Sequence, residues 1–137
     1  FNLSQGATTQ EGSFGVASGS LLTISGGAHT FNGASFTGTG TLGMTGGTLT
    51  LPVATTFGTG PGLSLTGGTF NGSGNVTVNN ALNLGAVTLS GAGTFTTTGA
   101  TTLSGSPILS GRAWSNSGTL GIGTAASADI DFSARQT

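Results

Sequence analysis

Charged side chains are nearly absent from this sequence. Only 4% of its 137 residues are Asp, Glu, Lys or Arg, and the stretch from Gly12 to Gly111 contains none of them. General acid–base and covalent mechanisms need titratable groups held in pairs or triads, and in that stretch the only such group is His29. We therefore expect no catalytic residue, and we predict that the protein is not an enzyme.

Cysteine and clustered basic residues are also missing. Without cysteine the chain can form neither a disulfide nor a thiolate metal site. A net charge of −1 gives no field that would attract nucleic acid or an anionic membrane surface. No run of about 18 apolar residues is present, so we expect no membrane insertion. No motif predicts a cofactor or a metal ion.

Gly, Ser and Thr fill about half of the chain. Such a bias is common in flexible linkers. Disorder, however, goes with high charge and few large apolar residues, whereas this chain has eight Phe and a positive mean hydropathy. A packed β-protein is the better interpretation, and the length fits one domain over residues 1–137.

A repeat runs through the sequence. A Ser or Thr followed by Gly recurs with spacings of 20, 21, 24 and 20 residues, at Ser25, Thr45, Thr66, Ser90 and Ser110. Each spacing is about one coil of a β-solenoid, a fold in which equivalent residues of successive coils stack on one another. Gly-Gly pairs at 26–27, 46–47 and 67–68 provide the positive φ values of tight corners.

Three short strands can be drawn through each repeat, because apolar residues two apart point to one face of a strand. The first strand ends at the Ser/Thr-Gly corner and carries Leu22/Ile24, Leu42/Met44, Leu63/Leu65, Val87/Leu89 and Pro107/Leu109. The second follows the corner and carries Phe31, Leu49, Phe70, Phe95 and Trp114. The third carries Phe36, Phe57, Val76/Val78 and Leu103.

The predicted fold is therefore all-β, a parallel β-helix (β-solenoid) of about six coils of roughly 20 residues with three short strands per coil. Residues 21–123 would form the repeat coils, with an edge or cap at 1–20 and another at 124–137. An antiparallel sandwich or barrel also has short strands at such intervals. It gives no reason for one corner to recur at a fixed period, so the solenoid is preferred.

Few residues qualify as site candidates. His29 has no acidic neighbour in sequence, so we expect a surface or corner residue without a catalytic role. Asp129 and Asp131 flank Ile130 and would point to the same face of a strand. Paired carboxylates serve glycosidases and Ca²⁺ sites, but near a chain end they more often guard an exposed edge.

Asn32 and Asn71 stand at the same place in two copies of Thr-Phe-Asn-Gly. Stacked amides at that corner could form a ladder. The coil between them carries Thr50 there, so we expect the ladder to be broken.

The runs Gly47-Thr-Leu-Thr-Leu51, Leu63-Ser-Leu-Thr-Gly-Gly-Thr-Phe-Asn-Gly72 and Val87-Thr-Leu-Ser-Gly-Ala-Gly-Thr-Phe95 resemble the passenger repeats of bacterial autotransporters and filamentous-haemagglutinin-type adhesins. The resemblance covers roughly residues 20–123. It implies a secreted or cell-surface right-handed β-solenoid of a Gram-negative bacterium, acting as a stalk, adhesin or fibre component. Such passengers usually carry more Asp, Asn and Lys on their outer faces, and this departure argues against a freely solvated, monomeric stalk.

Three functions are open at this point. The first is a structural or adhesive solenoid whose partner is itself, end to end or side by side, or a neighbouring solenoid segment. The second is a flat Thr-rich module that binds ice, a polysaccharide or a host surface, suggested by Thr55-Thr56 and Thr96-Thr-Thr98. The third is a carbohydrate-active β-helix enzyme, which would need clustered acids or bases that residues 12–111 do not contain.

Overall fold

The computed structural model describes residues 1–58 and 60–123, and the backbone of 131–132. The chain is a β-solenoid of parallel strands with about six coils, three strands per coil and no helix among these residues, so the predicted fold class is confirmed. Its strands are β1 (Asn2–Leu3), β2 (Ala7–Gln10), β3 (Ser13–Gly15), β4 (Leu21–Ile24), β5 (Ala28–Phe31), β6 (Ser35–Thr37), β7 (Thr41–Met44), β8 (Thr48–Thr50), β9 (Thr55–Phe57), β10 (Gly62–Leu65), β11 (Thr69–Asn71), β12 (Val76–Val78), β13 (Leu82–Leu84), β14 (Thr88–Ser90), β15 (Phe95–Thr97), β16 (Thr101–Leu103), β17 (Ile108–Ser110), β18 (Trp114–Asn116), β19 (Leu120–Ile122) and β20 (Asp131–Phe132).

The strands form three faces, because every third strand pairs in parallel with its equivalent in the next coil. Face 1 has the order β1-β4-β7-β10-β13-β16-β19, and face 2 has the order β2-β5-β8-β11-β14-β17-β20. Face 3 consists of the pair β3-β6 followed by the sheet β9-β12-β15-β18. Neighbouring strands of a sheet lie about 4.8 Å apart, so each coil lengthens the rod by that distance.

The core fills the space between the three faces. It is built from columns of equivalent side chains, such as Ile24, Met44, Leu65, Leu84 and Leu103 on face 1, all of which are buried. On face 3 the rings of three phenylalanines stack in line, with centroid distances of 5.7 Å from Phe14 to Phe36 and 5.2 Å from Phe36 to Phe57. Alternation of apolar and polar residues along each short strand thus produces one continuous core.

The predicted strand alignment is right for the first three Ser/Thr-Gly corners and wrong for the last two. Ser90 and Ser110 end β14 and β17, which belong to face 2, whereas Ser25, Thr45 and Thr66 follow strands of face 1. Val87/Leu89 and Pro107/Leu109 therefore lie on face 2 or at its entrance, Phe95 and Trp114 lie on face 3, and Leu103 lies on face 1.

Coil length explains this slip. Leu42 pairs with Leu63 at a distance of 21 residues, but Leu63 pairs with Leu82, and Leu82 with Thr101, at distances of only 19. The later coils have lost the Ser/Thr-Gly-Gly corner after face 1: Gly85 and Ser104 stand in place of its Ser or Thr, and Ala86-Val87 stands in place of the Gly-Gly pair 67–68. The same Ser-Gly dipeptide meanwhile closes face 2, so one motif serves two different corners.

Corner glycines fix the register where they are present. Gly68 has φ +80°, and a Cβ added there would lie 2.6 Å from the carbonyl oxygen of Gly47 and 2.7 Å from Cε of Met44. Gly12 also has a positive φ of +93°, but a Cβ added there would meet nothing within 4 Å. Both glycines have a positive φ, but only at Gly68 does the adjoining coil leave no room for a Cβ atom.

We expect Gly12→Ala to cost about 1–2 kcal/mol, the usual penalty of a left-handed alanine. Gly68→Ala should cost about 1–3 kcal/mol more, because the coil beneath it must move. Urea denaturation of both variants measures this difference. Equal losses would contradict the close approach of coils at Gly68.

The two terminal segments differ in how much of them is described. Residues 1–20, predicted as an edge or cap, contain β1, β2 and β3, which together make one coil. Segment 124–137 lies outside the described residues except for the backbone of 131–132, which pairs in parallel with β17. In the described part of the chain no helix is long and apolar enough to cross a membrane.

Candidate interaction surfaces

The outward side of face 2 carries an ordered column of polar side chains. It consists, in register from the first coil to the sixth, of Thr9, Thr30, Thr50, Asn71, Ser90 and Ser110. Every member has a hydroxyl or an amide group. We call this set the face 2 polar column. Successive members are about 4.8 Å apart because they occupy neighbouring strands.

Face 3 presents a second column of hydroxyl groups. Thr56, Thr77, Thr96 and Ser115 follow one another in register on four neighbouring strands. Beside them Thr98 Oγ1 donates a hydrogen bond of 2.7 Å to Asn79 Oδ1 of the preceding coil. We call the four residues the face 3 hydroxyl column.

The predicted threonine rows are only partly on the surface. Thr55 and Thr97 are buried, whereas Thr56, Thr96 and Thr98 lie on the outer side of face 3. The reason is the alternation of a strand, which turns every second residue of Thr55-Thr56 and Thr96-Thr-Thr98 inward. The outward threonines come into register only through stacking between coils.

Face 1 carries a shallow groove along the rod axis. Small residues form its floor across four coils, namely Gly62, Ala81 and Ala100 with Thr41, and its volume is about 300 Å³. Asn83 lines it and donates to Ser64 Oγ at 3.5 Å, while its buried Oδ1 has no hydrogen-bond partner within the described coils. The groove has neither a titratable side chain nor an aromatic platform among its lining residues.

Among the charged side chains whose positions are described, Glu11 is exposed and Arg112 is buried. Glu11 accepts a hydrogen bond of 3.2 Å from Asn32 Nδ2. Arg112 has no exposed surface and lies at the corner between β17 and β18. The polar columns of faces 2 and 3 therefore lie on a surface whose polarity comes from hydroxyl and amide groups.

Arg112 joins three coils through backbone carbonyls. Its Nε donates to Ser90 O at 2.7 Å and its Nη2 to Gly72 O at 2.6 Å, while Nη1 lies 3.3 Å from both Gly74 O and Thr94 O. Burial lowers the pKa of the guanidinium from its usual value, but an arginine in a protein remains protonated. The planar fork of donors suits several acceptors at once.

Little in the sequence predicts this role. Arg112 is one of the few charged residues of the chain and directly follows the uncharged stretch. Its position two residues after Ser110, just beyond a corner, is the one signal that could have pointed to it. A charged side chain needs hydrogen-bond partners if it is buried, and the backbone of neighbouring corners provides four carbonyl acceptors.

His29 is buried rather than on the surface, so that expectation is wrong. Only 1% of its surface is exposed, and it lies on the inward side of face 2. Its Nε2 lies 3.0 Å from Gly26 O and its Nδ1 lies 2.7 Å from Thr8 Oγ1. Because a carbonyl can only accept, Nε2 carries the proton that binds Gly26 O. Both ring nitrogens thus have structural partners.

The register of β5 explains why His29 points inward. Ala28, His29 and Thr30 pair with Thr48, Leu49 and Thr50, because Gly27 and Gly47 hold the corner that precedes both strands. His29 consequently occupies the column of Leu49 and Phe70.

The two copies of Thr-Phe-Asn-Gly consequently differ in register by two residues. Thr50 pairs with Asn71 and with Thr30, so Asn32 has no place in the column of Asn71. The amide ladder is therefore broken, as expected: Thr50 lies beside Asn71, and Asn32 in addition lies outside that column. The motif occurs twice in the sequence, but the corner glycines determine the register of each copy within its strand.

The first and last described strands of face 1 carry exposed apolar side chains. At the first coil Phe1 is 82% exposed and Leu21 is exposed beside it. These two residues, with Phe14, Val16 and Leu22, border an open recess of about 460 Å³. At the other end, Leu120 and Ile122 of β19 are 46% and 62% exposed.

The predicted acidic pair, Asp129 and Asp131, lies at the edge of the part of the chain that the structure describes. Asp129 lies outside the described residues, and of Asp131 only the backbone position in β20 is described. Within the described ranges, no three residues of the types His, Cys, Asp and Glu come together as a metal site.

Comparison with known proteins identifies no relative of this chain. No family model, no curated protein and no solved structure matches this chain. Inference about function must therefore start from the geometry of the three faces and the two ends.

Proposed function

We propose that this chain is a structural or adhesive β-solenoid module of an extracellular surface, a stalk, adhesin segment or fibre subunit, that associates with copies of itself. The observation that carries the proposal is the uncharged character of the lateral faces, on which hydroxyl and amide groups stand in register over successive coils. Surfaces that stay apart in water normally mix charges of both signs.

The same features argue against an enzyme. Hydrolysis of a glycosidic bond needs two carboxyl groups on opposite sides of the scissile bond. Between Gly12 and Gly111, which includes most of the three faces, the sequence contains no carboxylate. A rod whose outer side chains are hydroxyls, amides and small apolar groups is suited to contact a partner over an extended surface, as a stalk or an assembled fibre does.

Self-association is testable by sedimentation. At about 100 μM and neutral pH, where mass action favours even weak contacts, we expect species larger than the monomer and ordered fibres by electron microscopy. A matched variant, Thr50→Lys with Thr77→Lys, places like charges on faces 2 and 3 and should weaken only side-by-side packing. A strictly monomeric chain without fibres would sink the assembly proposal and leave a solitary stalk or adhesin segment.

A second candidate function is supported by the two polar columns. A flat surface with hydroxyl groups at one repeat distance could bind a regular partner, such as ice or a polysaccharide. The face 2 polar column runs through six coils, which favours this candidate more than the sequence did. A chain that stays monomeric in the sedimentation experiment and is retained on an insoluble polysaccharide would make this function the better proposal.

A further inference from the structure

The dipeptide Asn-Gly occurs twice in the chain, each time within Thr-Phe-Asn-Gly, at Asn32-Gly33 and at Asn71-Gly72. In such a pair the backbone nitrogen of the glycine can attack Cγ of the asparagine, because glycine has no side chain that hinders the approach. The four residues are identical in the two copies. A difference in reactivity between the two sites must therefore come mainly from their surroundings in the fold.

The peptide group between Asn32 and Gly33 is not held by the fold. Both residues are exposed at the corner between β5 and β6. Within the described coils, neither the carbonyl oxygen of Asn32 nor the N–H of Gly33 has a hydrogen-bond partner. Gly33 has φ +71°, and a Cβ added there would meet nothing within 4 Å. This peptide group can therefore rotate and bring its nitrogen to Cγ of Asn32 without displacing another coil.

The peptide group between Asn71 and Gly72 is fixed on several sides. The carbonyl oxygen of Asn71 accepts a hydrogen bond of 2.9 Å from the N–H of Leu51, and its Oδ1 accepts one of 3.3 Å from Ser90 Oγ. The carbonyl oxygen of Gly72 accepts a hydrogen bond of 2.6 Å from Arg112 Nη2. A Cβ added at Gly72 would collide with the carbonyl oxygen of Leu51. Attack by the Gly72 nitrogen would have to disrupt these contacts between coils.

We propose that Asn32 is a site of spontaneous deamidation and that Asn71 is protected from this reaction while the chain is folded. The nitrogen of Gly33 loses its proton and bonds to Cγ of Asn32, the side-chain nitrogen leaves as ammonia, and a cyclic imide remains. Water then opens the ring at either carbonyl and leaves aspartate or isoaspartate at residue 32. In sum, water is consumed and ammonia is released, with no oxidation or reduction.

The reaction would change the charge of the corner that carries Glu11. In the unmodified chain Asn32 Nδ2 donates a hydrogen bond of 3.2 Å to Glu11 Oε1. After deamidation a carboxylate replaces this donor, and like charges at neighbouring positions are destabilising. The product thus has a second negative charge beside Glu11, on a rod whose lateral faces are otherwise uncharged between Gly12 and Gly111.

Peptide mapping tests the proposal on the folded chain. The protein is kept in mildly alkaline buffer made with oxygen-labelled water and is then digested in ordinary water, so the label marks only the conversion that precedes digestion. Chymotrypsin cleaves after Phe31 and Phe70 and separates the two sites. By tandem mass spectrometry we expect conversion at least about tenfold faster at Asn32 than at Asn71, the ratio for a difference of about 1.4 kcal/mol in reaching the reactive geometry. Isoaspartate among the products would identify the cyclic imide, since direct hydrolysis of the amide gives aspartate alone.

The unfolded chain is the matched control, because in urea both sites keep the sequence Thr-Phe-Asn-Gly and lose their surroundings. There we expect similar rates at Asn32 and Asn71. A difference that persists in urea would overturn the proposal, because the local sequence would then be its cause. Equal rates in the folded chain, or a folded chain in which Asn32 is not converted, would overturn it as well.

Discussion

Replacement of Phe70 by alanine is expected to lower the free energy of unfolding by about 3–5 kcal/mol, the range of large-to-small changes in well-packed cores. Phe70 is fully buried in β11 and stacks between Leu49 and Leu89 of the adjoining coils. Its ring also meets Phe95 edge-on at a centroid distance of 5.6 Å. Because all of these neighbours belong to paired strands, the cavity cannot close without breaking ladder hydrogen bonds.

Thr69→Ala is the matched control for this variant. Thr69 precedes Phe70 in β11 and points outward, so its loss should cost less than about 1 kcal/mol. Urea denaturation followed by circular dichroism measures both changes. Equal losses for the two variants would show that the inward and outward sides of face 2 are wrongly assigned. The neighbour predicted from sequence on the far side was Phe95, whereas the strand register places Leu89 there.

Arg112→Ala is expected to be a second strongly damaging change, with a loss of about 3–5 kcal/mol, because several buried carbonyls lose a charged hydrogen-bond donor. The guanidinium binds carbonyls of Gly72 and Gly74 in one coil and of Ser90 and Thr94 in the next. Its Cζ also lies 5.6 Å from the centre of the Phe70 ring. Removal leaves several buried acceptors without their donor, each at a cost of about 1–3 kcal/mol unless water enters.

Two substitutions divide this effect into its parts. Arg112→Met keeps most of the apolar stem and removes the donors, so its loss measures the hydrogen bonds. Arg112→Lys keeps the charge but replaces the planar fork by a single ammonium group, which cannot reach all four carbonyls. We expect lysine to recover less than half of the stability lost with alanine. Full stability of Arg112→Met in urea denaturation would contradict a structural role for the hydrogen bonds.

The sequence was informative wherever glycine and alternation agreed. Gly-Gly pairs at 26–27, 46–47 and 67–68 marked true corners, and the apolar pairs before them lie on the inward side of face 1. The Phe36 and Phe57 positions were likewise placed correctly on one face. These features depend on local chemistry, since φ above zero and side-chain alternation are properties of single residues and single strands.

Register in the later coils could not be predicted because it depends on coil length. A coil of 19 residues and a coil of 21 residues can carry the same Ser/Thr-Gly dipeptide at different corners. Only the contacts between coils determine which corner the dipeptide occupies. The position of His29 was wrongly predicted for the same reason. The repeated Thr-Phe-Asn-Gly motif aligns Phe31 with Phe70, whereas in the structure Gly27 is equivalent to Gly68. The buried role of Arg112 depends on carbonyls up to 40 residues away in sequence, which no local pattern reports.

The sequence predicted the chemical character of the interaction surfaces but not their positions. Uncharged lateral faces followed from composition, but the face 2 polar column and the face 3 hydroxyl column exist only once the coils are in register. The apolar ends of face 1 were likewise unpredictable, because Leu120 and Ile122 resemble core residues in sequence. Both residues lie in β19, the last described strand of face 1.

Diffraction from aligned fibres reports both the stacking of the coils and the direction in which the solenoids assemble. If the rods join end to end, the fibres should give a reflection at about 4.8 Å along the fibre axis, since coils rise by the spacing of strands. The same reflection perpendicular to the fibre axis would mean that rods pack side by side, and its absence from ordered fibres would contradict the stacked parallel coils themselves.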